Sequence, residues 1–131
     1  MLDAEVFNNI FYMNSKFKFE KLLIWQKAMD LGEVINQLTE KFPKKEIYNL
    51  TSQSCRAVDS IALNIAEGST GKSNPELKKF IGYSIRSLAE VVTCLHKAKR
   101  RNYLTEEEFT TNYNESFHLM NMMIAFRNNT K

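Results

Sequence analysis

Gly68 to Ser73, reading GSTGKS, is the stretch whose residue types come nearest to a reactive pattern, because glycines ahead of a lysine and a hydroxyl are what a phosphate cradle needs. The spacing is one residue short, the stretch follows a helical pattern, and no strand leads into it. A nucleotide loop is therefore excluded. His96 and His118 are too few and too badly spaced for a metal centre. Cys55 and Cys94 lack CxxC spacing and sit on apolar helical stripes, where buried free thiols are expected rather than a disulfide or a ligand pair. Asp59 and Ser60 are neighbours along a helix and diverge, so no nucleophile gains an orienting base. These residue types predict no enzyme, no cofactor and no small-molecule substrate.

Polar residues near the apolar stripes carry the next signal. Gln53, Arg56 and Asn64 lie close to the inward face of a second helix, with Glu67 just beyond, and Glu90 sits similarly on a third. A buried arginine is costly alone, so an inward Arg56 must find an acid, and Glu90 or Glu67 is the expected partner. Such a network would fix helix register, or alternatively line an interior ligand site.

Four helices position these groups. Ile24, Ala28, Leu31, Ile35, Leu38 and Phe42 step by three and four, predicting helix one from about Phe19 to Phe42 and a stop at Pro43. Beside that seam, Leu22, Trp25 and Met29 form a second strip, with Trp25 either capping the core or packing between subunits. Leu50, Ala57, Val58, Ile61, Ile65 and Ala66 mark helix two, with Gly68 as its left-handed stop. Ser73 or Asn74 before Pro75 and Glu76 starts helix three, which carries Leu77, Phe80, Ile81, Ser84, Leu88, Val91, Val92, Leu95 and Ala98 and ends in basic residues. After a turn at 102–104, Thr105 and Glu108 form a capping box. Helix four then uses Phe109, Tyr113, Phe117, Met120, Met123 and Ile124 as its inward stripe, Arg127 falls in its last turn, and 128–131 fray. Short connections make neighbours antiparallel, so the fold class is all-α, an up-down-up-down antiparallel four-helix bundle.

A chain of 131 residues with a net charge of +3 fits one core and permits nucleic-acid contact without demanding it. No apolar run approaches the roughly 18 residues that cross a bilayer, and the cytosol is the expected compartment. Residues 1–16 are expected to be a weakly ordered extension or an apolar arm (Val6, Phe7, Ile10, Phe11), with the bundle domain at 17–131. The bundle brings the C-termini of helices one and three to one end. There Lys41, Lys44, Lys45, Lys97, Lys99, Arg100 and Arg101 gather, seven of the eighteen lysines and arginines. Cations at helix C-termini and acids at N-termini (Glu46, Glu106, Glu107, Glu108) are also what the helix dipole favours. Tyr48, Tyr103 and Phe42 fall at the same pole, either to stack on bases or to plug the bundle's end.

The run NIAEG at Asn64 to Gly68, with Gln53, Arg56, Ala57 and Ser60 before it and Ser69, Lys72, Leu77 and Phe80 after it, resembles the signature of the bacterial four helix bundle proteins, the 23S rRNA intervening-sequence proteins. FKFEKLLIWQKAMDL at Phe17 to Leu31 and SLAEVVTCL at Ser87 to Leu95 resemble that family's opening and third helix. The likeness spans Phe17 to about Phe109. Cys55 with Arg56 stands where the family usually shows two arginines, and Arg86 where it shows glycine. Met13 stands where such proteins normally begin.

The resemblance implies a non-enzymatic homo-oligomer, a pentameric ring, in a family whose cellular role is not established and some of whose members are encoded inside 23S rRNA genes. Accessory variability proteins of diversity-generating retroelements are similar too. That likeness implies the alternative, an RNA- or DNA-binding accessory protein partnering a reverse transcriptase through a basic surface.

Overall fold

The protein is described over residues 11–131 by a computed structural model; the residues Val6, Phe7 and Ile10 of the expected arm lie outside the described residues. A 3-10 turn at Lys18–Lys21 leads into α1 (Leu23–Thr39), and Leu22 between them is extended, which breaks the expected helix one near its start. Pro43 follows the last loose turn. Lys44–Glu46 and Ile47–Thr51 form a 3-10 turn and one turn of π-helix before α2 (Ser52–Thr70). α3 (Asn74–Arg100) and α4 (Glu106–Asn129) complete the chain. Among the described residues there is no strand.

α1 packs on α2, α2 on α3, α3 on α4 and α4 on α1, so the helices close a four-sided bundle in chain order. The α2–α3 seam is the most extensive and the α1–α4 seam the least. Ile61, Ile65, Ile81, Leu88 and Met123 are fully enclosed, and the helix-one seam from Ile24 to Leu38 is buried as its spacing predicts. Fully burying each such side chain contributes about 1.5–3 kcal/mol.

Starts and stops follow the expected chemistry except at Gly68. Ser73 Oγ accepts the Glu76 amide, with Pro75 in the first turn. The Thr105 hydroxyl accepts the Glu108 amide at 3.0 Å, and the Glu108 carboxylate accepts the Thr105 amide at 2.9 Å. Asn102, at φ 63°, makes the turn between them left-handed, a region Asn tolerates. Gly68 is not a left-handed stop: no glycine has positive φ among the described residues, and α2 continues to Thr70. Gly68 is instead buried where α2 meets α3, so close that a Cβ there would lie 2.7 Å from the Phe80 Cβ.

α4 also departs from its expected phase. Phe109, Asn112, Ser116, Leu119 and Met123 point inward, while Tyr113 and Phe117 are exposed, Phe117 by 62%. The aromatic stripe read as core therefore faces outward on the α3 side, where Phe109 and Tyr113 stack on each other and meet the His96 ring edge-on.

Candidate interaction surfaces

Glu46 organises the pole where four helix ends meet. It is only 4% exposed, although it lies on the short connection after Pro43. Its carboxylate accepts the Tyr103 hydroxyl at 2.8 Å, an Arg101 N–H at 3.1 Å, the Asn49 amide at 3.1 Å and, more loosely, the Leu50 backbone amide at 3.4 Å. The Tyr103 hydrogen bond, aided by the Leu50 amide and Arg101, holds the carboxyl below the ordinary carboxylate range against the opposing effect of burial, and pushes the Tyr103 phenol up. Tyr103 also packs on Phe42, centroids 5.3 Å apart. These two rings plug the bundle's end. Sequence reasoning placed Glu46 there as a dipole partner but missed that it is a buried hub; an acid between two lysines and a tyrosine-bearing turn was the available signal.

The pole brings the expected cations together and then neutralises three of them. Lys41 pairs with Glu108, Lys99 with Glu106 at 3.2 Å, and Arg101 with Glu46. The Lys41 ammonium, with the Thr105 amide, lowers the Glu108 carboxyl below its ordinary value. The dipole arrangement of acids at N-termini and bases at C-termini thus accounts for Lys41, Lys99 and Arg101. Lys44, Lys45, Lys97 and Arg100 are exposed and make no ion pair among the described residues. Tyr48, on the π-turn, is 97% exposed and is the one aromatic of the expected three free to stack.

The expected interior network is not assembled. Arg56, Glu67 and Glu90 are exposed, and no ion pair joins them among the described residues. The reason is phase: burial of Ala57, Val58, Ile61 and Ile65 turns Arg56 and Glu67 to the flank of α2. Asn64 donates to the Ser60 carbonyl within its own helix at 2.8 Å, and Gln53 is half-buried. The α2–α3 seam uses smaller groups instead. Ser84 Oγ donates to the Ile61 carbonyl at 2.8 Å, and the Ser60 and Ser87 hydroxyls bond across the seam. Small polar side chains let the two backbones approach in a way an arginine would prevent.

A concave apolar surface lies on the α1–α2 face. Phe19, Trp25, Met29, Leu63 and Ala66 line a groove of about 450 Å³, rimmed by Glu33 and Asp59. Leu63 is 66% exposed. Trp25 is half-buried and takes the Tyr12 and Phe19 rings edge-on at 5.9 and 5.4 Å, so it lines the groove rather than filling the core. Cys55 and Cys94 are both free thiols. Cys94 is buried, which raises its pKa, whereas Cys55 is only partly covered beside Thr39. Among the described residues no group of three His, Cys, Asp or Glu is placed to hold a metal, and no helix is long and apolar enough to cross a membrane.

A sequence model of the family described as 23S rRNA-intervening sequence protein matches residues 20–125. Among solved structures, a protein of unknown function from the S23 ribosomal protein family of Bacteroides thetaiotaomicron superposes with a TM-score of 0.75 at 19% identity, covering 80% of this chain and 98% of its own. At that identity the likeness speaks for the fold. No curated protein matches the chain.

Proposed function

The chain belongs to the 23S rRNA-intervening sequence protein family, and from that footing we propose that it works without catalysis, as a helical bundle that assembles with copies of itself and presents a charged end to a partner. The observation that carries this reading is the open groove of Trp25, Met29, Leu63 and Ala66, an apolar concavity that a lone chain leaves in water. Contiguous apolar concavities of this kind are where soluble proteins meet other proteins. A pentameric ring is the assembly that the resemblance implies, and the cytosol is its proposed compartment. Light scattering coupled to size exclusion tests the reading: a molar mass several times 15.3 kDa is expected, and a monomer at every concentration refutes it.

A second reading, RNA or DNA contact beside a reverse transcriptase, draws on Lys44, Lys45, Lys97, Arg100 and the exposed Tyr48 ring. Cations free of carboxylates release counterions from a phosphate backbone, and an open aromatic face stacks on an unpaired base. Titration of labelled structured RNA at two salt concentrations tests it. Binding that weakens steeply with salt, and that is lost when Lys97, Arg100 and Tyr48 become alanine, is expected. Absence of binding at low salt removes this reading and leaves self-assembly standing.

A further inference from the structure

We infer that copies of this chain join head to tail, the α4 ridge of Tyr113 and Phe117 on one copy seating in the α1–α2 groove of the next. The inference rests on the self-assembly reading and names the two surfaces that meet. Because the helices close in chain order, the α1–α2 face and the α3–α4 face lie on opposite sides of the bundle. The first is concave and apolar, lined by Trp25, Met29 and Leu63. The second is convex, since Tyr113 and Phe117 project from it while polar Asn112 and Ser116 occupy the inward positions of the same helix.

The charges at the two surfaces are complementary. Glu33 and Asp59 rim the groove, and neither has a cation partner among the described residues. His96 lies against Tyr113, and Arg100, one turn further along α3, is exposed without a carboxylate among the described residues. Two unlike surfaces on opposite faces make a heterologous contact, which closes into a ring when the rotation per subunit permits. A self-complementary two-fold dimer would need one face to fit itself, and neither does.

The test uses two variants of the full chain, Leu63→Arg in the groove and Phe117→Arg on the ridge, both at exposed positions that leave the core untouched. Each alone is expected to fall to monomer mass by light scattering, with its helical circular dichroism retained. Mixed in equal amounts they are expected to form a dimer and nothing larger, because the intact ridge of the first fits the intact groove of the second. Wild type that is itself monomeric overturns both this inference and the self-assembly reading. Wild type that associates while either variant still forms the full assembly overturns the inference alone. So does a mixture that stays monomeric at the highest soluble concentration.

Discussion

A methyl group at position 68 tests the closest approach in the bundle. The added Cβ would lie 2.7 Å from the Phe80 Cβ and 3.4 Å from both the Leu77 carbonyl oxygen and its Cδ1. The Phe80 atom is the root of its side chain, so no rotamer change clears the overlap and α2 must separate locally from α3. Overpacking of this kind costs about 1–3 kcal/mol. Glycine to alanine inside a helix gains about 0.8–1 kcal/mol, so Gly68→Ala is expected to lose roughly 0–2 kcal/mol net. Gly82 supplies the control, because it lies within α3 and a Cβ there would meet nothing within 4 Å. Gly82→Ala should only gain. The two variants therefore differ by the steric cost alone, about 1–3 kcal/mol, or roughly 3–5 °C of Tm per kcal/mol for a chain of this length.

Urea denaturation with circular dichroism, at one protein concentration because association adds apparent stability, measures the gap. Equal stability of the two alanine variants would refute the steric argument. An asparagine at 68 separates it from the left-handed stop that the sequence suggests. Asn tolerates the left-handed region, so a stop would favour Gly68→Asn over Gly68→Ala. Close approach makes the larger residue worse.

Three further outcomes follow from named contacts. Glu46, held ionised by Tyr103, Leu50 and Arg101, has a folded pKa below its unfolded one, so its contribution is present above the unfolded value and is lost as pH falls through the folded value. Glu46→Gln should therefore lower Tm at neutral pH by more than at a pH below the carboxylate range, and a gap that stays constant with pH would contradict this. Thr105→Ala removes the hydroxyl that accepts the Glu108 amide and should cost about 0.5–2 kcal/mol in urea, with Thr105→Ser restoring most of it. Arg56→Leu, at an exposed site without an ion pair among the described residues, should leave fold stability within about 0.5 kcal/mol; a large loss would put the arginine back in a structural network.

Helix number, order and most of the core were legible because α1 to α3 each carry one dominant apolar stripe, and a single stripe leaves one way to face a core. The capping box at Thr105 and the proline start at Pro75 were legible for the same reason: each is a local pattern with one mechanism. Gly68 was not, because glycine serves equally for a left-handed turn and for close packing, and only the position of Phe80 on another helix decides between them. Arg56 was misplaced because it flanks the stripe by one residue, about 100° of helix, and that rotation carries it into water. The pole's ion pairs were half legible. The dipole rule anticipated which signs gather there, but the buried place of Glu46 depends on Tyr103 arriving from a turn 57 residues away.

α4 is the instructive failure, since it offers two stripes. Phe109, Tyr113, Phe117, Met120 and Ile124 form the more apolar one; Asn112, Ser116, Leu119 and Met123 form the one that, with Phe109, is buried. Hydrophobicity within one chain favours the first. The buried stripe meets part of its polar cost locally, Asn112 donating to the Glu108 carbonyl at 2.8 Å, but the Ser116 hydroxyl is enclosed with no partner among the described residues, at a cost of about 1–3 kcal/mol. Leaving Phe117 largely in water forgoes a comparable amount, about 1.5–3 kcal/mol for a full side chain. Both penalties in one helix point against the isolated subunit as the working unit. Covering Tyr113 and Phe117 with the groove of another copy recovers the second penalty and turns the helix's inverted face into a consequence of assembly.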